Sequence, residues 1–145
     1  MRTIFFTLAF LITCSMSGIA QVNKIVGKWK TIDDKDGSVK SIVYIFKATN
    51  GKYYGKIDKL FKDPEKLCTE CEGVNKNQPI LGMMIINNMF EKNETLTGGT
   101  IMDPKNGKVY KCNISLDRGS DNLNVRGSLD SGGWIGRSQT WVRVR

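Results

Sequence analysis

From residue 25 onward the chain exchanges apolar and polar positions at nearly every step. That period of two marks strands with one covered face. Tyr110, Cys112, Ile114 and Leu116 fall on one side of such a run, with Lys111, Asn113 and Ser115 on the other. Leu123, Val125 and Gly127 alternate in the same way with Asn124 and Arg126. Turn-forming groups recur at roughly the ten-residue spacing of hairpin proteins. They are Asp34-Lys35-Asp36-Gly37, Thr49-Asn50-Gly51, Pro104-Lys105-Asn106-Gly107, Arg118-Gly119-Ser120-Asp121 and Asp130-Ser131-Gly132-Gly133. The pattern predicts strands over residues 25–32, 38–48, 51–60, 80–87, 95–102, 107–117, 121–129 and 134–144. About eight short strands joined by hairpins make an all-β protein, and the expected fold is a single antiparallel up-and-down β-barrel. The first strand should close it against the last.

Two stretches depart from the pattern. Residues 42–46 are apolar on both faces, which suits a strand covered on both sides or one that lines a cavity and is packed outside. Residues 81–90 fit a buried strand or one or two helical turns, and continuity favours the strand. The longest irregular segment, 61–79, holds Pro64, Cys68, Cys71, Gly73 and Pro79 among many charges. A loop of that length in a compact domain usually has a job or is pinned.

Residues 1–20 read differently. Arg2 precedes an apolar run from 4 to 12, and Gly18-Ile19-Ala20 supplies the small residues a signal peptidase reads. The run is shorter than the roughly 20 residues a membrane-spanning helix needs. A signal peptide over 1–20 and a barrel domain over 21–145 follow, with a periplasmic or secreted destination and no transmembrane segment. The rival is lipidation at Cys14, which Leu11 suits and Thr13 does not.

Charge refines the picture little. The 145 residues carry 22 Lys and Arg against 14 Asp and Glu, a net +8. Loss of Arg2 with the leader leaves 8 − 1 = +7. Lys28, Lys30, Lys40 and Lys111 are scattered singly along strands, as on a solvated outer face. A nucleic-acid reader would carry a clustered basic stripe, so no nucleic acid is expected.

The stretches Val26-Gly-Lys-Trp-Lys-Thr-Ile-Asp-Asp-Lys-Asp-Gly37, Gly51-Lys-Tyr-Tyr-Gly-Lys-Ile57, Cys68-Thr-Glu-Cys71, Pro79-Ile-Leu-Gly-Met83, Val125-Arg-Gly127 and Gly136-Arg-Ser-Gln-Thr-Trp-Val-Arg143 resemble DUF2147, a bacterial envelope domain of unknown function. So does the run from Gly98 through Asp103-Pro104 to Tyr110. A looser resemblance is to the lipocalins. Those barrels carry Gly-x-Trp in the first strand, here Gly27 and Trp29, and a basic residue on a late strand across the tryptophan, here Arg143 with Arg145 as alternate. The resemblance implies structural roles for Gly27, Trp29 and Arg143. The late helix of lipocalins has no counterpart in this sequence.

Chemistry is sparse. The chain has no histidine, so no serine or cysteine nucleophile has an imidazole base, and a non-catalytic protein is expected. Cys68-Thr-Glu-Cys71 has the spacing of a redox pair or half a zinc site. A zinc site would need Cys112 and a carboxylate such as Glu70 or Glu72, and a redox pair would expect a helix N-terminus. In an exported chain a structural disulfide between Cys68 and Cys71 is the reading taken, with no metal and no cofactor. Asp33, Asp34 and Asp36 begin like a calcium loop but lack its later ligands, and they read as a turn. Trp29, Tyr53, Met83 and Tyr110, with Met84 and Met89 nearby, either line a cavity for a small apolar ligand or form ordinary core. Binding of such a ligand or of an envelope component is the expected role. The alternatives are a thiol–disulfide protein using Cys68 and Cys71, and an empty-barrel structural protein.

Overall fold

The structure is a computed structural model that describes residues 22–130 and 136–145. The signal peptide over 1–20, Cys14 and the start of the eighth strand at 134 lie outside the described residues. Eight strands form a closed antiparallel barrel in chain order: β1 (Gly27–Ile32), β2 (Val39–Lys47), β3 (Tyr53–Leu60), β4 (Met84–Lys92), β5 (Thr95–Met102), β6 (Val109–Leu116), β7 (Asn122–Ser128) and β8 (Gly136–Arg143). Each pairs with its neighbour, and β1 meets β8. A short helical turn at 22–25, closed by Ile25 N–H donating to the Val22 carbonyl at 2.9 Å, precedes β1.

The strands begin where alternation begins and stop at the turn residues. The 33–38 and 103–108 turns use one device twice. Asp33 accepts from the Lys35 N–H at 2.7 Å and Asp103 from the Lys105 N–H at 2.9 Å. The backbone then bonds Gly37 N–H to the Asp33 carbonyl and Gly107 N–H to the Asp103 carbonyl. Asp33 and Asp36 are therefore turn-formers, each satisfying a local backbone N–H.

β4 differs from the expected 80–87. Gly82 takes φ +84 and its N–H donates to the Ile57 carbonyl, while Met83 N–H donates to Ile80. The apolar residues 80–83 thus form a turn, and the strand runs on through Asn87, Asn88 and Glu91. It ends in a two-residue hairpin, Asn93-Glu94, with φ +50 and +64. Positive φ at both centres matches strand twist, and glutamate is rarely chosen there.

β2 is apolar on both faces because its outer residues cover one another. The Phe46 ring stacks on Tyr44 at 5.5 Å and on Tyr54 of β3 at 6.2 Å. The Tyr54 hydroxyl donates to Asn88 and accepts from Asn50, both at 2.9 Å. The scattered lysines sit on the outer wall, where Lys28 pairs with Asp58 at 2.8 Å and Lys40 with Asp33 at 3.2 Å.

One end of the barrel is sealed. The Arg143 guanidinium lies 4.2 Å from the centre of the Trp29 ring. Its Nε donates to Asp121 at 2.8 Å, and its terminal nitrogen donates to the Lys24 carbonyl. Trp29 Nε1 donates to the Ile25 carbonyl at 2.9 Å. Gly27 serves here by its φ of +139, which side-chain-bearing residues rarely adopt. Trp29→Ala should cost about 3–5 kcal/mol as a large core truncation. Arg143→Ala should cost about 1–2 kcal/mol from lost stacking and stem packing. A urea-denaturation double-mutant cycle should show coupling, and additive losses would refute the pairing as a unit.

Candidate functional site

The barrel interior divides at mid-height. Toward the sealed end, Trp29, Ile45, Met89, Leu96, Ile114 and Leu123 are all 0% exposed. Val22 and Ile25 close that end from below, also at 0%. These side chains are closed to solvent and form a packed layer, at whose edge the inward Leu116 is half-buried. Val43, Ile86, Cys112, Val125 and Trp141 are buried at the next level.

Above them, toward the turns at 33–38 and 103–108, the inward positions change character. Thr31, Leu60, Ile101, Tyr110, Gly127 and Gln139 are only half-buried. Their inward direction follows from phase and pairing. Thr31 and Leu60 both pair with Ser41, which is in step with Val43 and Ile45. Gly127 pairs with Cys112 and lies two residues beyond Val125. Ile101 pairs with Tyr110, and both lie close to Gly127: an added Cβ there would sit 3.4 Å from Tyr110 Cβ and 3.5 Å from Ile101 Cγ2. Gln139 lies two residues before buried Trp141 and accepts from its Nε1 at 3.3 Å. Thr31 and Ser41 hydroxyls share a bond of 2.7 Å. This open half therefore has an apolar floor and a mixed wall.

The expected ligand residues do not gather there. Trp29 and Tyr53 belong to the sealed half, at 0% and 3% exposure, and Met89 is buried with them. Trp29 and Tyr53 are buried within the core cluster, which is the ordinary-core alternative of the two the sequence left open. Met83 is buried beside the start of β4, with its carbonyl accepting from Ile57 N–H at 3.0 Å. Only Tyr110 reaches the open half. Gln139 and Arg137, which the sequence reading passed over, face the same side of β8. The signal was faint, because Gly136–Arg143 shows no alternation before Trp141.

The 61–79 loop carries the disulfide Cys68–Cys71. Cys68 N–H donates to the Gln78 carbonyl and Asn77 N–H to that of Cys68, folding the loop on itself. Cys71 Sγ lies 3.8 Å from Met102 Sδ, and Cys68 Sγ 3.4 Å from the Pro104 carbonyl oxygen. Neither is a hydrogen bond, since disulfide sulfurs carry no hydrogen. Met102 is out of phase with Ile101 and so faces outward, and the loop buries it against the outer wall. Both cysteines are buried, at 0% and 2% exposure, and Cys112 is a free buried thiol. Among the described residues no three His, Cys, Asp or Glu side chains converge on a point. The zinc set of Cys68, Cys71, Cys112 and a glutamate is not assembled.

Burial pushes the Cys112 thiol up to about 12 from an ordinary 9.0. Above pH 9.0 the unfolded thiol ionises while the folded one keeps its proton, so this group's contribution to stability is lost as pH rises. Denaturant midpoints of the native protein should therefore fall more steeply above that pH than those of Cys112→Ala. Parallel slopes would contradict this. The paired Cys68→Ser, Cys71→Ser variant should lose about 2 kcal/mol, the loop-entropy value for so short a ring. In the native protein the buried bridge should resist mild reductant and show no insulin-reduction activity.

The chain belongs to the DUF2147 family, described as uncharacterized proteins conserved in bacteria, whose family model matches residues 27–143. In fold it is similar to a solved protein of the human pathogen Helicobacter pylori, described as belonging to the lipocalin family. That likeness has a TM-score of 0.71 and 21% identity, over 83% of this chain and 82% of the other. Among curated proteins no match is found.

Proposed function

We propose that this protein is an exported, non-catalytic lipocalin-like barrel that holds a small molecule in its open half. The observation that carries this is the change in exposure along the interior. Packed side chains at 0% exposure give way, within one barrel, to inward residues that solvent reaches. A protein that needed only a stable core would gain by filling both halves, at about 25 cal/mol per Å² of apolar surface removed from water. Instead Gly127 stands at an inward position where nothing clashes with an added Cβ and φ is not positive.

A seat of this kind takes part of a small ligand, with an apolar portion on Trp141, Val125 and Ile86 and a polar portion near Tyr110 and Gln139. The leader-like residues 1–20 and the disulfide support an oxidising destination outside the cytoplasm. Burial of both sulfurs disfavours thiol–disulfide exchange, which needs an accessible thiolate.

The neutral fluorophore N-phenyl-1-naphthylamine should brighten on binding at one equivalent per chain. Gly127→Leu should fill the open half and abolish this signal with the thermal midpoint little changed. No probe uptake by the native protein, together with no co-purifying mass in native mass spectrometry from its own envelope, would leave the empty structural barrel as the better account.

A further inference from the structure

At the mouth of the open half, β8 carries two groups that already hold a carboxylate. Asp34 reaches across from the β1–β2 turn. Its Oδ2 accepts from Gln139 Nε2 at 3.2 Å and lies 3.5 Å from an Arg137 guanidinium nitrogen. No backbone ladder makes this approach. Among the described residues β1 pairs with β8 only at Trp29↔Arg143 and Lys30↔Val142, and β1 then turns toward β2 at the irregularity between Thr31 and Ile32. Only side chains span the gap beyond.

Arg137 pairs across the ladder with Gly127 and is in phase with Gln139 and Trp141, so it starts from the inner face. Gly127 stands opposite, and Tyr110 flanks that same glycine, its Cβ 3.4 Å from where a Gly127 Cβ would sit. Asp33 beside this site is already engaged by Lys40 at 3.2 Å. The pairing with Arg137 is exposed on both sides, at 70% and 50%, so it is weak and exchangeable.

We infer that Arg137 and Gln139 form the head-group site for a carboxylate-bearing amphipath, and that Asp34 occupies it when no ligand is bound. This rests on the reading of the open half as a binding seat. The carboxylate of the ligand replaces that of Asp34 on the guanidinium and amide, and its apolar chain runs inward to the floor at Trp141 and Val125. The inner wall above that floor offers two inward positions on β8, at about 3.3 Å per residue, so the seat suits a chain of modest length.

Octanoate and its uncharged counterpart octanol test this by calorimetric titration of the full mature protein. Octanoate should bind the native protein about tenfold more tightly than octanol, the difference expected of one charge-assisted contact. Arg137→Ala should erase that preference and leave octanol binding unchanged. Asp34→Asn, which removes the competing charge and keeps the shape, should tighten octanoate severalfold. A merely structural role for Asp34 would not produce that gain. Equal binding of the two probes, or octanoate binding indifferent to Arg137, would overturn the inference and leave the binding seat standing. Binding of neither, with N-phenyl-1-naphthylamine still bound, would do the same. No binding of any of the three would overturn both.

Discussion

One cation–aromatic contact, Arg143 on Trp29, reinforces the seam at which the barrel closes. Every other neighbouring pair of strands is joined by a hairpin or the 61–83 connection, which holds the two together whatever their ladder does. β1 and β8 lie at opposite ends of the sequence and share two paired positions, plus the bond from Val144 N–H to the Lys28 carbonyl. Arg143 concentrates further bonds at this seam: the Trp29 face, the Lys24 carbonyl and Asp121 on the β6–β7 turn. A flat, permanently charged guanidinium can stack and donate in its own plane at once, which a lysine cannot. Trp29 needs this cover because a tryptophan buried at a barrel end must satisfy its N–H, and the Ile25 carbonyl does so only if the preceding turn is held in place.

Sealing one end firmly lets the other vary. Trp29, Met89, Leu96 and Ile114 are fully buried members of one core cluster, and Leu60 and Ile101 of the upper half pack against that cluster while only partly buried. Polar inward residues there are tolerated because each is satisfied or solvated: Thr31 by Ser41, Gln139 by Trp141 and Asp34. The disulfide loop adds a second small apolar layer, but outside the wall. Gly107 is required for its fit, since a Cβ there would sit 1.9 Å from the Glu70 carbonyl oxygen.

Much of this was legible in the residues. The alternation around Cys112 and Val125 placed β6 and β7, the Asp and Gly turn pairs placed the hairpins, and Gly27, Trp29 and Arg143 pointed to the seam. Three things were not legible, each for a physical reason. β4 was displaced because apolar residues 80–83 imitate a strand while Gly82 turns them, and because Asn93-Glu94 adopts a glycine-like conformation. Trp29 and Tyr53 were left open between core and cavity because aromatic residues serve both equally, and only depth in the barrel separates the two. Arg137 and Gln139 were invisible because they alternate with Ser138 and Thr140, equally polar, so the inner face of β8 has no chemical contrast to read.

That lack of contrast follows from the seam itself. Beyond Trp141 toward the mouth, β8 has β7 on one side and no ladder partner on the other among the described residues. A strand edge of this kind invites pairing with other chains, and charged or polar residues on it discourage that. Gly136, Arg137, Ser138 and Thr140 are exposed there. An apolar, strongly alternating sequence would have been easier to recognise and more prone to aggregate. Asp34 then closes the gap by side-chain contacts alone, which hold the rim together without committing either strand to a fixed register. The same features that hide this end of the barrel from sequence patterns keep its rim polar and its exposed strand edge unattractive to other chains.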